Sequence, residues 1–206
     1  MIIAISGPSS TGKTTLVQSL KNYKGLIESI LGRQVYFKGE DIREMLPADA
    51  VLDEVLADSQ VAMELQFKII ESNIERYMDL LKNPHIAYIC DRCPLDNVVY
   101  MILNYMRTSP ELALKYAADF RKYGSIAKSL TSYVERIYLT KNDNSMLKAE
   151  PDGFRASFYD TFRALEVELF NGYFDNLPTV KVLPSESADR LNFLLNDLKM
   201  LNAKLS

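Results

Sequence analysis

The chain has no tryptophan, one histidine and two cysteines among its 206 residues, and each scarcity removes a class of chemistry. With a single imidazole, Ser-His-Asp and Cys-His catalysis could run only through His85. That residue stands in Pro84-His85-Ile86, at the start of a predicted strand with no nucleophile at a telling position, so a structural role is expected. Cys90 and Cys93 form a C-x-x-C around Asp91-Arg92. Zinc would need two further ligands with only His85 near in sequence, and a thioredoxin-type pair opens a helix rather than ending a strand. Cys90 is therefore expected in the core and Cys93 on a loop. The longest apolar run is 98–103, far short of the roughly 18 residues that span a bilayer. The opening MIIAI lacks the basic flank of a secretory leader. A cytoplasmic location and no membrane partner are expected. With 24 Lys+Arg against 27 Asp+Glu, the charge of −3 argues against broad nucleic-acid binding, although a local basic groove is compatible with it.

What the chain does have is apolar content, 48% of residues, arranged with two periods. At this length roughly 70% of the unfolded surface can be buried without disulfides. Short β-branched or continuous apolar runs at 1–6, 34–38, 86–90, 134–139 and 179–183 read as buried strands. Between them, helices are predicted at 14–21, 25–31, 49–81 (one long or a kinked pair), 96–106, 110–130, 154–174 and 186–204. Ser109 and Pro110 supply an N-cap and a first helical residue. The stretch 141–153 is polar and Gly/Pro-punctuated, and a mobile loop is expected there. Strands alternating with helices predict a three-layer α/β domain around a five-stranded parallel sheet, with no linker or repeat. The whole chain, 1–206, is read as one domain.

Gly7-Pro8-Ser9-Ser10-Thr11-Gly12-Lys13-Thr14 fits G-x-x-x-x-G-K-[ST] at every fixed position, directly between a predicted strand and a predicted helix. The glycines let successive N–H groups turn into one concavity, and the helix start adds its positive end. Gly7, Ser9, Ser10, Thr11, Gly12, Lys13, Thr14 and Thr15 are the candidate phosphate contacts. Lys13 can reach the outer phosphates, projecting into ligand or solvent, and the Thr14 hydroxyl can bind Mg²⁺. Asp91-Arg92 ends the third strand, where ligands of parallel sheets sit. Asp91 can hold the hydrated metal or orient an acceptor, and Arg92 can bridge phosphates. Glu40 and Arg43 follow the second strand: Glu40 can accept a hydroxyl proton and Arg43 can hold an anion. Alternatively Glu40 and Asp41 simply open a helix. A third cluster of Lys141, Lys148, Arg155 and Arg163 could close over a phosphoryl group as a lid or remain a solvated charged loop. Tyr36, Phe37, Tyr100 and Tyr105 could stack a base or line the core rim.

Taken in order, GPSSTGKTT at 7–15, Glu40-x-x-Arg43, DRCPLD at 91–96, DGFR at 152–155 and Arg163 resemble the P-loop nucleoside and nucleotide kinases. They are most similar to the ATPase/kinase family containing the ribosylnicotinamide kinase domain of bacterial NAD regulators. The resemblance implies sheet order 2-3-1-4-5, ATP with Mg²⁺ as donor, a lid over about 141–163, and phosphoryl transfer to a nucleoside-like hydroxyl. It places Lys13, Glu40, Asp91, Arg92 and Arg155 in catalysis, Arg163 on the donor, Glu40, Arg43, Arg92 and Asp96 on the acceptor, and Thr14 with Asp91 on the metal. A homodimer is compatible with it. The D-R pair is also similar to that of thymidylate kinases, but Cys93 stands where an aromatic residue or His is usual. A monophosphate, nicotinamide riboside or a hydroxyl within DNA or RNA stay open as acceptors, as does a non-catalytic nucleotide-binding module. No H-x-G-H adenylyltransferase motif and no N-K-x-D base-reading motif occur. The expectation is also against a motor or AAA-type ATPase, which would want a longer chain and consecutive acids after the third strand.

Overall fold

Ile2, Ile3 and Ile5 crowd the first strand with β-branched side chains, and all five residues of β1 (Ile2–Ser6) are buried. A strand covered on both faces belongs at the centre of its sheet. In the computed structural model, which describes residues 1–9, 11–39, 58–141 and 154–205 (the side chains of 154–163 and 204–205 apart), β1 lies between β3 (Ala87–Asp91) and β4 (Arg136–Leu139). With β2 (Val35–Lys38) and β5 (Val180–Val182) at the edges, the order is β2-β3-β1-β4-β5 and every pairing is parallel. That is the order the resemblance implied.

Alternation along β1 feeds two cores. Ile3 and Ile5 pack with Leu16, Val17 and Leu20 of α1 (Lys13–Asn22), Ile27 of α2 (Lys24–Leu31), and Leu194 and Leu198 of α7 (Ser187–Leu205). Ile2 and Ala4 face the other layer. There Met63, Ile70 and Tyr77 of α3 (Ser59–Leu81), Val99 of α4 (Pro94–Tyr105), Ala127 of α5 (Pro110–Thr131) and Phe170 of α6 (Phe154–Phe174) meet. Asp58 caps α3 by accepting from the Gln60 and Val61 amides, and Ser109 caps α5 by accepting from Leu112 N, as its sequence predicts.

The differences from the predicted elements are physical. Helix α4 starts at Pro94 rather than 96, because proline fits the first helical position and the turn before it is closed by side chains. Strand β5 keeps only three residues, half-buried to exposed at an edge with one neighbour. Residues 49–57 of the predicted long helix, and the loop expected to be mobile, 142–153, lie outside the described residues. Among the described residues no helix is long and apolar enough to cross a membrane.

Candidate phosphate-binding site

The carboxyl ends of β1, β3 and β4 converge on the loop that joins β1 to α1. Register places Ile5 beside Asp91 and Ser6 beside Leu139. Gly7 has φ 134°, and a Cβ there would collide with the hydroxyl and carbonyl of Thr140, so only glycine lets the loop leave β1 against β4. Gly12, at φ 84°, ends the loop as the N-cap of α1. The Thr11 hydroxyl turns inward, donating to Pro8 O at 2.8 Å and meeting Thr140 Oγ1 at 2.6 Å. Its side chain thus holds the loop in shape and leaves only its amide to face outward chemistry.

Lys13 departs from the expected projection. Its Nζ donates back to Pro8 O at 2.5 Å, and the residue is 6% exposed. Burial, and then the charge of Arg92, pull its pKa down to about 7, against the opposing pull of Asp96, Glu166 and Asp91. The ammonium thus lies within the ring that the loop encloses. Thr14 and Asp91 are brought together as expected, Thr14 Oγ1 donating to Asp91 Oδ2 at 3.2 Å. The other carboxylate oxygen, Asp91 Oδ1, is buried and has no hydrogen-bond partner among the described residues. A hard cation takes such a carboxylate and hydroxyl with phosphate oxygens and water completing its shell, so the pair fits Mg²⁺. Among the described residues no group of three His, Cys, Asp or Glu forms an alternative metal site.

Arg92 adopts φ 74°, its amide donating to Ile5 O at 2.9 Å and its carbonyl accepting from Tyr77 Oη at 2.8 Å. The strained corner aims the guanidinium over the Tyr100 ring, 4.8 Å from its centroid. Tyr100 therefore stands at the site, its hydroxyl donating to Glu166 at 2.8 Å and lying 3.0 Å from Ser9 Oγ. Tyr105 does not: its ring packs on Phe120, 5.1 Å away, in the core.

Asp96 is corrected. It is fully buried, and its Oδ2 accepts from Ser6 Oγ and Cys93 N, each at 2.7 Å, while Oδ1 accepts from Gly7 N at 3.3 Å. A carboxylate spent on the loop base and the α4 cap has no face left for an acceptor, and burial raises its pKa. Cys93 lies in the connection between β3 and α4, as expected, but it is buried there. It is 1% exposed at the N-cap of α4, and burial pushes both thiols up, Cys90 to about 11. Neither is a thiolate nucleophile. His85 is exposed just before β3 starts, at the edge opposite the loop.

Two buried side chains that brace the loop had no motif to reveal them. Glu166, on α6 and 1% exposed, accepts from the Ser9 amide at 2.7 Å and its hydroxyl at 2.9 Å, pinning that helix to the phosphate loop. Arg190, 3% exposed on α7, donates to Thr11 O at 2.5 Å, Pro184 O at 2.8 Å and Ser185 O at 2.9 Å. It ties the loop after β5 to the phosphate loop. Their only sequence signal is a charge interrupting an apolar helical stripe. Ser10, Glu40, Arg43 and Lys148 lie outside the described residues, as do the side chains of Arg155 and Arg163. Lys141 Nζ pairs with Asp175 at 2.8 Å, beyond the end of α6.

A parallel sheet, a glycine-hinged loop around a buried lysine, and a hydroxyl–carboxylate pair beside it define a P-loop nucleotide-binding fold. Residues 2–165 match the family model described as an AAA domain, and the chain belongs to that family. The match agrees with the resemblance to an ATPase/kinase family, and a single acid, Asp91, ends β3. No curated protein matches the chain by sequence. Among solved structures, it is similar to deoxyadenosine kinase from M. mycoides with bound dATP, with TM-score 0.59 and 14% identity over 96% of this chain and 99% of that one. Thymidylate kinase from Candida albicans gives 0.60 and 15%, over 100% and 93%. NadR protein in complex with NR gives 0.59 and 19%, over 98% of this chain and 51% of that one. The fold is that of the P-loop nucleoside and nucleotide kinases.

Proposed function

We propose that the protein transfers the terminal phosphoryl group of ATP to a nucleoside-type acceptor. The observation that carries this reading is the Thr14–Asp91 pair, with Asp91 Oδ1 unpartnered, beside a Lys13 enclosed by the phosphate loop. Amides of 9–15 and the start of α1 hold the donor phosphates. Lys13 neutralises charge on the outer two, and Arg92 does so on the side facing β3. Thr14 and Asp91 would hold Mg²⁺, which would supply charge neutralisation to the transferring phosphoryl group. Arg155 and Arg163, on the helix that Glu166 pins to Ser9, are the lid cations, and the lid spans about 141–163. Two of the structurally similar proteins are a deoxyadenosine kinase and a thymidylate kinase, which supports an acceptor of nucleoside type. The charge of −3 supports a small acceptor over a polynucleotide.

For a hydroxyl acceptor, Glu40 takes the proton as the new P–O bond forms. A monophosphate needs no base, and the unpartnered donor pair of Arg76 on α3 favours it. The test is an ATP-consumption screen over nucleosides, monophosphates and DNA, with the product confirmed by mass. If a hydroxyl is the acceptor, Glu40→Gln lowers kcat by about 10²–10⁴-fold with ATP binding little changed. No consumption with any acceptor, or normal turnover in Lys13→Ala, would sink the kinase reading.

A further inference from the structure

Arg76 of α3 carries an unmatched pair of donors. Its Nη1 donates to Gly39 O at 2.5 Å, the carbonyl directly after β2. Its Nε and Nη2 are buried from water and have no hydrogen-bond partner among the described residues. These two atoms form the side edge of the guanidinium, where two N–H bonds run nearly parallel. That edge is complementary to two oxygens of one anion, and a lone carbonyl or hydroxyl would leave one donor unpaired. Arg76 itself is half-buried, but two donors shut off from water without an acceptor are costly, and an anion would satisfy both.

Its place in the fold says which ligand. Lys38, next to Gly39, is in register with Cys90, so Arg76 is anchored at the carboxyl edge of the β2–β3 pair, where Asp91 and Arg92 emerge. The next residue on the helix, Tyr77, lies under the guanidinium, its ring centroid 5.6 Å away, and donates to Arg92 O at 2.8 Å. One turn of α3 thus holds the fork and the Arg92 corner together. The phosphate loop with Lys13 stands on the β1 side of Asp91 and Arg76 on the β2 side, as an acceptor opposite the donor requires.

We infer that Arg76 is a phosphate fork of the acceptor site and that the acceptor is a nucleoside monophosphate. The inference rests on the kinase reading for its donor, but the binding it asserts stands by itself. An anionic oxygen of the acceptor phosphate forms a bond to the γ-phosphorus of ATP. The bond from that phosphorus to the β–γ bridging oxygen breaks, and ADP leaves with the electron pair. No proton has to be removed, so Glu40 is not a base for this acceptor. The products are a nucleoside diphosphate and ADP.

The test is calorimetric titration of the full chain with the common nucleoside 5′-monophosphates, their nucleosides and inorganic phosphate, with the phosphate loop filled by a non-hydrolysable ATP analogue and Mg²⁺. The wild type is expected to bind at least one monophosphate about tenfold or more tightly than its nucleoside, a difference of about 1.4 kcal/mol. Arg76→Ala should erase that difference and leave nucleoside binding unchanged. Arg76→Lys, which keeps the charge but not the fork, should restore only part of it. Equal affinity for nucleoside and monophosphate in the wild type would overturn the inference, as would equal loss of both in Arg76→Ala. Inorganic phosphate binding as tightly as the monophosphate would make the fork a free-phosphate site and overturn the acceptor assignment. Failure of the ATP analogue to bind would instead sink the donor reading, and the monophosphate titration would still decide the role of Arg76.

Discussion

Lys13 is where residue chemistry and stability pull against each other. Burial lowers its pKa from 10.5 to about 7, so below about pH 7 folded and unfolded chains both hold the proton and the cost of the buried charge is fully present. Between about 7 and 10.5 the folded chain has shed a proton that the unfolded chain keeps, so stability rises with pH across that window. Lys13→Met should flatten this rise in urea denaturation at pH 6.5 and 9, while phosphoryl transfer falls by about 10²–10³-fold. Phosphates favour the charged amine, so nucleotide binding above pH 7 should take up a proton, visible as a buffer-dependent binding enthalpy that the variant lacks. Gly7, Gly12, Lys13, Thr14 and Asp91 were legible in the sequence because their spacing is local or follows a recognisable strand. Glu166, Arg190 and the Arg76 fork were not. Each gains its meaning from a partner more than thirty residues away, and nothing in its own neighbourhood records that partner.

At the scale of elements, periodicity carried most of the fold: α6 spans the residues predicted for it, and the strands fall within the predicted runs to within a residue. Turn and cap chemistry was harder to read. The DRCPLD stretch looked like a string of ligands, yet its last carboxylate is the hinge pin of β1, the phosphate loop and α4 at once. Asp96→Ala should cost about 2–4 kcal/mol, since it unpairs two buried amides and a hydroxyl together. Asp96→Asn should lose nearly as much, because whichever way the amide turns, an N–H faces a donor. Guanidinium denaturation of both variants checks this, and a loss below about 0.5 kcal/mol would mean that the cap is redundant.

For the whole molecule, the proposed small acceptor carries an expectation about nucleic acid. Duplex DNA binding, if detectable, should be weak at physiological salt and leave ATP turnover unchanged. A steep salt dependence with DNA-stimulated turnover, read by fluorescence anisotropy and a coupled assay, would favour a polynucleotide acceptor instead. The parallel sheet was legible from the alternation of short apolar runs with amphipathic ones. Its order came from a resemblance rather than from any one strand, since β1, β3 and β4 are alike in being buried throughout or nearly so.

The hydrogen bond from Arg190 to Thr11 joins residues 179 apart, and this sets an order of events during folding. The motif that marks the nucleotide site lies at 7–14, but a side chain of α7 holds it from far along the sequence. Contacts of such separation close late, after their loop entropy has been offset by the rest of the sheet. Nucleotide affinity should therefore be the last native property to arrive on refolding. A fluorescent ATP analogue added after dilution from denaturant should report binding more slowly than far-ultraviolet dichroism reports helix. In Arg190→Ala the two should still separate, with a smaller binding amplitude. A newly made chain would thus pass through a stage in which it is nearly folded and does not yet hold ATP.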